Sequence, residues 1–195
     1  LILLFFESSS LAANCGTIVS MRGQIEILRL KSDSANSKDK GRRGFLAKER
    51  TKLWCSDVIL TRKASRAKVL LKNKTVMTLG PHSRVEIENY LQDKKEVNQL
   101  KLIYGKVRAI FRDQKSIPRT LPEKGEKKKT SSLFMKTPSA VVGVRGTDFY
   151  LGYNPTLEKT EQATLEGKVS VKNPVTGQEV EVSAGQQVDI PKLSD

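Results

Sequence analysis

The chain has 195 residues, of which 37% are hydrophobic and 29% are charged, and its formal net charge is +14. This composition supports one globular domain with an ordinary core, and it excludes a chain that is disordered throughout. The sequence has no apolar run near the roughly 18 residues of a membrane span, and its positive charge suits a nucleic acid, an anionic surface or an acidic polymer as partner.

The N-terminus has the order of a secretory signal. Leu1-Ile-Leu-Leu-Phe-Phe6 is followed by a polar stretch and by small residues at Ser10 and Ala12. We therefore expect residues 1–12 to be the remnant of a signal peptide and residues 13–195 to be one domain secreted to the periplasm or the cell surface. The alternatives are a lipoprotein signal that uses Cys15, which the Asn at position 14 disfavours, and an ordinary buried first strand.

From residue 16 onward, short runs alternate between apolar and polar residues, with hardly a stretch at helical period. The pattern predicts about thirteen short strands: 17–21, 24–30, 57–61, 66–71, 75–79, 84–89, 99–104, 106–111, 141–153, 162–165, 168–172, 179–182 and 187–190. So many short strands need two layers or a coil. The predicted fold is all-β, either a two-layer β-sandwich or a flattened β-solenoid-like module.

Two basic segments, at about residues 31–52 and 112–136, interrupt the alternation with Ser, Lys, Gly and Pro. Such a composition cannot bury enough apolar surface to offset the entropy of ordering, so we predict two mobile insertions. Their basic side chains are candidate anion contacts, namely Lys40, Arg42, Arg43, Lys127, Lys128 and Lys129.

Four glycines precede an alternating run, namely Gly23, Gly105, Gly167 and Gly185. Each is predicted to lie in a turn that leads into a strand. Their irregular spacing argues against a repeat of fixed period.

The chemistry-bearing side chains are sparse. Cys15 and Cys55 are forty residues apart, too far for a metal or redox Cys-x-x-Cys, and in an oxidising compartment they are a candidate disulfide; the alternative is two buried thiols. His82 is the only histidine and lies in a predicted turn. We therefore predict no enzyme, no catalytic or metal site and no cofactor.

The stretch Thr137-Pro-Ser-Ala-Val-Val-Gly-Val-Arg-Gly-Thr-Asp-Phe149 changes its apolar parity near Gly146. Such a slip predicts a bulge or a strand crossing between layers at Gly146, and a close backbone approach at Gly143. Arg145 would then satisfy free carbonyls or pair with a carboxylate such as Asp148. A KH-type clamp and a phosphate-binding loop are both disfavoured, because each needs flanking helices.

The same stretch resembles the signature segment of the FecR-domain family of bacterial envelopes. Asp57-Val-Ile-Leu-Thr61 with its following strand, Leu165-Glu-Gly-Lys-Val-Ser-Val171 and Ala184-Gly-Gln-Gln-Val188 also resemble family strands. The resemblance implies an all-β envelope module that contacts proteins and has no catalytic residues. It assigns structural roles to Thr137, Pro138, Gly143, Val144, Arg145, Gly146, Thr147, Asp148 and Phe149.

The functional expectation is a non-enzymatic secreted or periplasmic module that binds an envelope protein or an anionic glycan, without a membrane span. One alternative is a periplasmic sensor or regulator arm in signalling from an outer-membrane transporter to a sigma factor, which the resemblance to the FecR regulators suggests. The other is nucleic-acid binding through the basic loops, which the scarcity of stacking aromatics there disfavours.

Overall fold

The computed structural model describes residues 14–31, 41–88, 97–112, 132–144 and 146–193. These residues form sixteen β-strands and no helix, which confirms the predicted all-β class. The strands are β1 (Asn14–Arg22), β2 (Ile25–Leu30), β3 (Arg42–Leu46), β4 (Lys52–Trp54), β5 (Val58–Thr61), β6 (Arg66–Leu71), β7 (Val76–Leu79), β8 (Ser83–Ile87), β9 (Val97–Phe111), β10 (Ser132–Lys136), β11 (Val141–Val144), β12 (Thr147–Asn154), β13 (Lys159–Glu166), β14 (Lys168–Lys172), β15 (Glu179–Ser183) and β16 (Gln187–Pro191).

The strands pair in two sheets that share the long strand β9. The first sheet has the order β4-β1-β6-β7-β9-β12-β13-β16, and its described pairs are all antiparallel. The second has the order β3-β2-β5-β8-β9-β10-β11-β14-β15, and there β9 runs parallel to β10. Residues 105–111 of β9 pair in the first sheet, whereas residues 97–104 pair in the second. The fold is therefore a β-sandwich.

The core lies between the two sheets. Strand β6 alternates strictly between exposed and buried residues, because successive side chains of a strand point to opposite faces. Phe111 and Phe149 are among the largest fully buried side chains of this core. Burial of each such side chain stabilises the fold by about 1.5–3 kcal/mol.

The structure has sixteen strands where the sequence predicted thirteen. Two predicted strands are continuous in β9, and the run predicted at 141–153 is divided into β11 and β12. Strands β3, β4 and β10 were not predicted. Of these, β3 and β10 lie inside the segments that were predicted to be mobile insertions. The prediction of mobility was therefore wrong for these two strands. Their order comes from hydrogen-bonded pairing: β3 pairs with the preceding strand β2, and β10 pairs with the following strand β11 and with residues 97–101 of β9. Residues 32–40 and 113–131 of those segments lie outside the described residues.

The four repeated glycines mark the points where the chain passes from one sheet to the other. Gly23, Gly167 and Gly185 each lie between strands of different sheets, and Gly105 lies where β9 changes sheet; all have positive φ. Gly105 is the most constrained, because a Cβ there would come within 2.5 Å of the His82 carbonyl oxygen and of Ser83 Cα. The glycine that recurs in the sequence thus marks each of these four places where the chain changes sheet.

Candidate functional site

The signature segment 137–149 begins in the hairpin between β10 and β11, where it makes a buried polar network. Thr137 Oγ1 accepts a hydrogen bond from the Ala140 amide at 2.9 Å and is hydrogen-bonded to Thr160 Oγ1 at 2.6 Å. Ser139 Oγ is 2.6 Å from Thr160 Oγ1 and donates to the Ile190 carbonyl at 3.0 Å. The hairpin belongs to the second sheet, whereas Thr160 and Ile190 belong to the first. The network therefore ties the two layers together, and Pro138 is exposed beside it.

Replacement of Thr137 by valine is expected to destabilise the protein by about 1–3 kcal/mol, because the buried Ala140 amide would lose its side-chain acceptor and the Thr160 hydroxyl would keep only Ser139 as partner. Chemical denaturation of the purified chain measures this change. Thr176→Val is the matched control, since the Thr176 hydroxyl bonds the Gln178 amide on an exposed hairpin. Equal losses in the two variants would contradict the structural role of Thr137.

The rest of the segment forms strand β11, the crossing and the start of β12. Gly143 faces the ring of Phe134, 3.4 Å from the position of a Cβ, so it accommodates an aromatic ring and not a backbone approach as predicted. Val144, Thr147 and Phe149 are buried. Gly146 has φ +63° and lies between β11 of the second sheet and β12 of the first, so the chain crosses between layers there.

Asp148 is held by Arg108. The Arg108 Nε donates to Asp148 Oδ1 at 3.0 Å and its Nη2 donates to Oδ2 at 2.6 Å. Hydrogen bonding to Asp148, together with its negative charge, raises the pKa of Arg108 above its ordinary value. Both oxygens of Asp148 thus have an arginine partner on the neighbouring strand. Arg145, for which this pairing was considered, lies outside the described residues.

The predicted disulfide is present. Cys15 in β1 is bonded to Cys55, which follows β4, and their Cα atoms are 5.3 Å apart. Cys15 is fully buried. The bond joins the first sheet to the turn that leads into the second.

Of the six candidate anion contacts, only Arg42 and Arg43 lie among the described residues. Arg42 forms an ion pair with Glu86 and donates to the Ser56 carbonyl, so part of its donor capacity is used within the fold. Arg43 is exposed on the edge strand β3. Lys40, Lys127, Lys128 and Lys129 lie outside the described residues.

The structure brings together a group of cations that sequence reasoning missed. On the outer side of the first sheet, Arg22 is directly opposite Arg66, Ser20 is opposite Lys68, and Thr78 is opposite Arg108. Lys106 is two residues before Arg108 on the same side of β9. We call this surface the basic face: the outward side chains of β1, β6, β7 and residues 105–111 of β9. These stretches contain no acidic residue.

The cations of the basic face are mostly unneutralised. Apart from Arg108, none of them forms an ion pair with a described residue. Lys106 makes a cation–π contact with the ring of Tyr150, at 6.0 Å. Arg22 and Arg66 are directly opposed cross-strand neighbours, a like-charge arrangement that destabilises a sheet. Both side chains are exposed, so solvent is the described surrounding of this pair.

Several arginines at the second sheet form ion pairs with acidic residues. Arg29 donates two hydrogen bonds to Asp57, at 3.0 and 2.7 Å, and its guanidinium is 5.2 and 5.4 Å from the ring centroids of Phe45 and Trp54. Ion pairs also join Arg42 to Glu86, and Arg62 to Glu26 from the flanking loop. These arginines have an acidic partner, whereas Arg22 and Arg66 of the basic face have none among the described residues.

An apolar row crosses the basic face. Leu70 on β6 is opposite Val76 on β7, which is opposite Ile110 on β9. Leu70 is 41% exposed, and Val76 and Ile110 are half-buried. Lys68 precedes Leu70 on the outer side of β6 and Lys72 follows it; both are exposed. The row is therefore an apolar strip of the surface with cations beside it.

One sequence signal could have revealed this face. The chain has no acidic residue between Asp57 and Glu86, while Arg66 and Lys68 alternate with buried residues. Sequence reasoning assigned the positive charge to loops, because the cross-strand neighbours of β6 are not visible in the sequence. Among the described residues, no group of three or more His, Cys, Asp or Glu side chains could hold a metal ion, and none of the segments is a helix able to cross a membrane.

Comparison with known proteins identifies the family. The model of the FecR protein family matches residues 57–170. This match covers more than half of the chain and includes β5 to β13 and part of β14.

The chain belongs to the FecR family.

Solved structures agree with this assignment in fold. Two crystal structures of a "putative anti-sigma factor" from Parabacteroides distasonis are similar to the chain, with TM-scores of 0.52 and 0.51 and 16% sequence identity. Each alignment covers 69% of this chain but 55% of the other, so the match spans about half of those proteins. At this identity the similarity shows the fold alone. No curated protein matches the chain.

Proposed function

We propose that this FecR-family chain is a non-enzymatic binding module of the bacterial envelope, secreted to the periplasm or the cell surface, which holds an envelope protein or an anionic polymer on its basic face. Family membership and the disulfide support the location, since disulfides persist in oxidising compartments. The observation that carries the proposal is the Arg22 and Arg66 pair, two opposed cations without an acid. An anionic partner would remove their repulsion.

A second candidate function is a regulator arm in signalling from an outer-membrane transporter to a sigma factor. The anti-sigma-factor assignment of the similar crystal structures favours it. The two functions are compatible, since a regulator also works by binding. Retention of a transporter's signalling domain by the immobilised chain would support this second function, and absence of retention would oppose it.

Site-specific photo-crosslinking tests the binding proposal. A benzophenone amino acid at Thr78, at the centre of the basic face, is expected to form an adduct in native cells. The same probe at Leu60, on the outer side of the second sheet, is the control and should form none. If Thr78 yields no adduct while the protein is present in the periplasm, the proposal fails. Digestion of the adduct with nuclease or glycosidase identifies a nucleic acid or a glycan, and mass spectrometry of its tryptic peptides identifies a protein partner.

Arg66→Glu is expected to stabilise the chain slightly while it weakens binding. The new carboxylate would oppose Arg22, so a repulsive cross-strand pair becomes attractive, which is worth about 0.2–1 kcal/mol. Urea denaturation and the adduct yield at Thr78 measure the two effects. Arg43→Glu changes the net charge equally but lies on β3. Equal loss of adduct in both variants would show that net charge, and not the basic face, controls binding.

A further inference from the structure

We infer that the occupant of the basic face is an extended acidic protein segment that also carries apolar side chains. This inference rests on the proposed function and deepens it, because it selects one partner class for the same surface. The observation behind it is the apolar row of Leu70, Val76 and Ile110, which lies among the cations.

The apolar row distinguishes the partner classes. A polyphosphate or a glycan is hydrated along its length, so it could neutralise the cations but would bury far less apolar surface on the row than a protein side chain would. A protein segment offers carboxylates and apolar side chains together, and burial of apolar side chains at the centre of a contact supplies much of the affinity of protein interfaces. Leu70, at 41% exposure, has surface left to bury.

The arrangement is less suited to a lipid surface. Lys and Arg side chains are longer than Leu, Val and Ile, so the cations of the basic face extend beyond the apolar row. At Leu70 the row is thus recessed between Lys68 of β6 and Lys72 of the turn that follows β6. A flat anionic membrane would meet the cations first and would leave the row out of reach, whereas a protruding side chain of a peptide can enter between them.

The spacing along β6 matches an extended chain. Arg66, Lys68 and Leu70 are successive outward residues, so neighbours in this series are about 6.4–6.8 Å apart. In an extended peptide the side chains of one face have the same period. A peptide that runs along β6 with acidic residues at alternate positions, followed by an apolar residue, can therefore match the cations and the row together. Arg22 and Lys106 widen the cationic surface on either side.

Titration of the full chain, with its disulfide intact, against two defined peptides tests the inference. Both are about eight residues long, enough to run along β6. Both carry Glu at alternate positions, and they differ in having Leu or Ser among the remaining residues. Nuclear magnetic resonance shifts locate the binding, and the titration gives the affinity. We expect the Leu peptide to bind at the basic face about tenfold more tightly than the Ser peptide.

Variants of the apolar row separate its contribution from that of the charge. Leu70→Ser should bring the affinity for the Leu peptide down to that for the Ser peptide, and should leave the latter unchanged. Val76→Thr keeps the β-branched shape and the strand preference, so it gives the same test if Leu70→Ser folds poorly. Arg66→Glu should weaken binding of both peptides.

Equal affinities of the Leu and Ser peptides, or the same affinity in Leu70→Ser, would overturn the inference. Tighter binding of polyphosphate of equal charge, or of anionic phospholipid vesicles, would also overturn it and would favour a polymer or a membrane surface. In each of these cases the binding proposal survives, because the photo-crosslink at Thr78 tests it separately. Absence of both the crosslink and any peptide binding at low salt would reject both.

Discussion

Gly105→Ala is expected to destabilise the protein by about 3 kcal/mol or more. Gly105 has φ +95°, a conformation that side-chain-bearing residues rarely adopt. A Cβ would lie 2.4 Å from Ser83 Oγ and 2.5 Å from the backbone of His82 and Ser83. Ser83 Oγ already accepts a hydrogen bond from the Lys106 amide at 2.9 Å, so the crowding falls on a contact that holds the crossing.

The expected loss is large because β9 belongs to both sheets. A shift of the backbone at residue 105 would disturb pairing with β12 in one sheet and with β8 in the other. Urea denaturation followed by circular dichroism measures the free energy of unfolding. Gly177→Ala is the matched control, since Gly177 has φ +72° but no atom within 4 Å of the added Cβ. A similar loss at both glycines would show that conformation alone matters, and would contradict the crowding at Gly105.

Removal of the disulfide is expected to cost about 4 kcal/mol of unfolding free energy, from the entropy of closing a loop of forty residues. The bond joins β1 to the turn after β4, a strand of three residues at the edge of the first sheet. Strand β1 also carries Arg22, so we expect its loosening to weaken binding at the basic face.

Urea denaturation of the oxidised chain, the reduced chain and the Cys15→Ala/Cys55→Ala variant tests this prediction. The reduced chain and the double variant should unfold at similar, lower urea concentrations, and reductant should not affect the double variant further. Mass spectrometry without reduction counts the thiols of the native protein. Two free thiols in the native protein, or unchanged stability after reduction, would contradict the structural role of the bond.

The strands illustrate what the sequence can predict. Alternation located β6, β7 and β14 closely, because in each of these strands one face is buried and the other is exposed or half-buried. It missed β3 and β10, which lie in stretches rich in Lys, Ser and Gly. Those strands are held by hydrogen bonds to neighbouring strands, β2 for β3 and β9 and β11 for β10, and this pairing leaves no signal in the composition of the stretches themselves.

For the candidate sites, too, the sequence located individual residues but not the partners that they contact. The signature segment identified the family, yet the partners of Thr137 and Asp148 are Thr160 and Arg108, which lie on other strands. The sequence placed the candidate anion contacts in the basic segments, but Arg42 of the first segment is paired with Glu86 within the fold. Arg22 and Arg66 are forty-four positions apart in the sequence and became neighbours only when β1 paired with β6.

The sequence by itself determined the all-β class, the family, the cysteine pair and the glycines at which the chain turns, because alternation, motif spacing and residue chemistry are local properties. The tertiary structure decided which strands share a sheet, where β9 passes between layers and which cations stand side by side without an acid. Those features depend on strand order and register, which arise from contacts between distant segments that share one core.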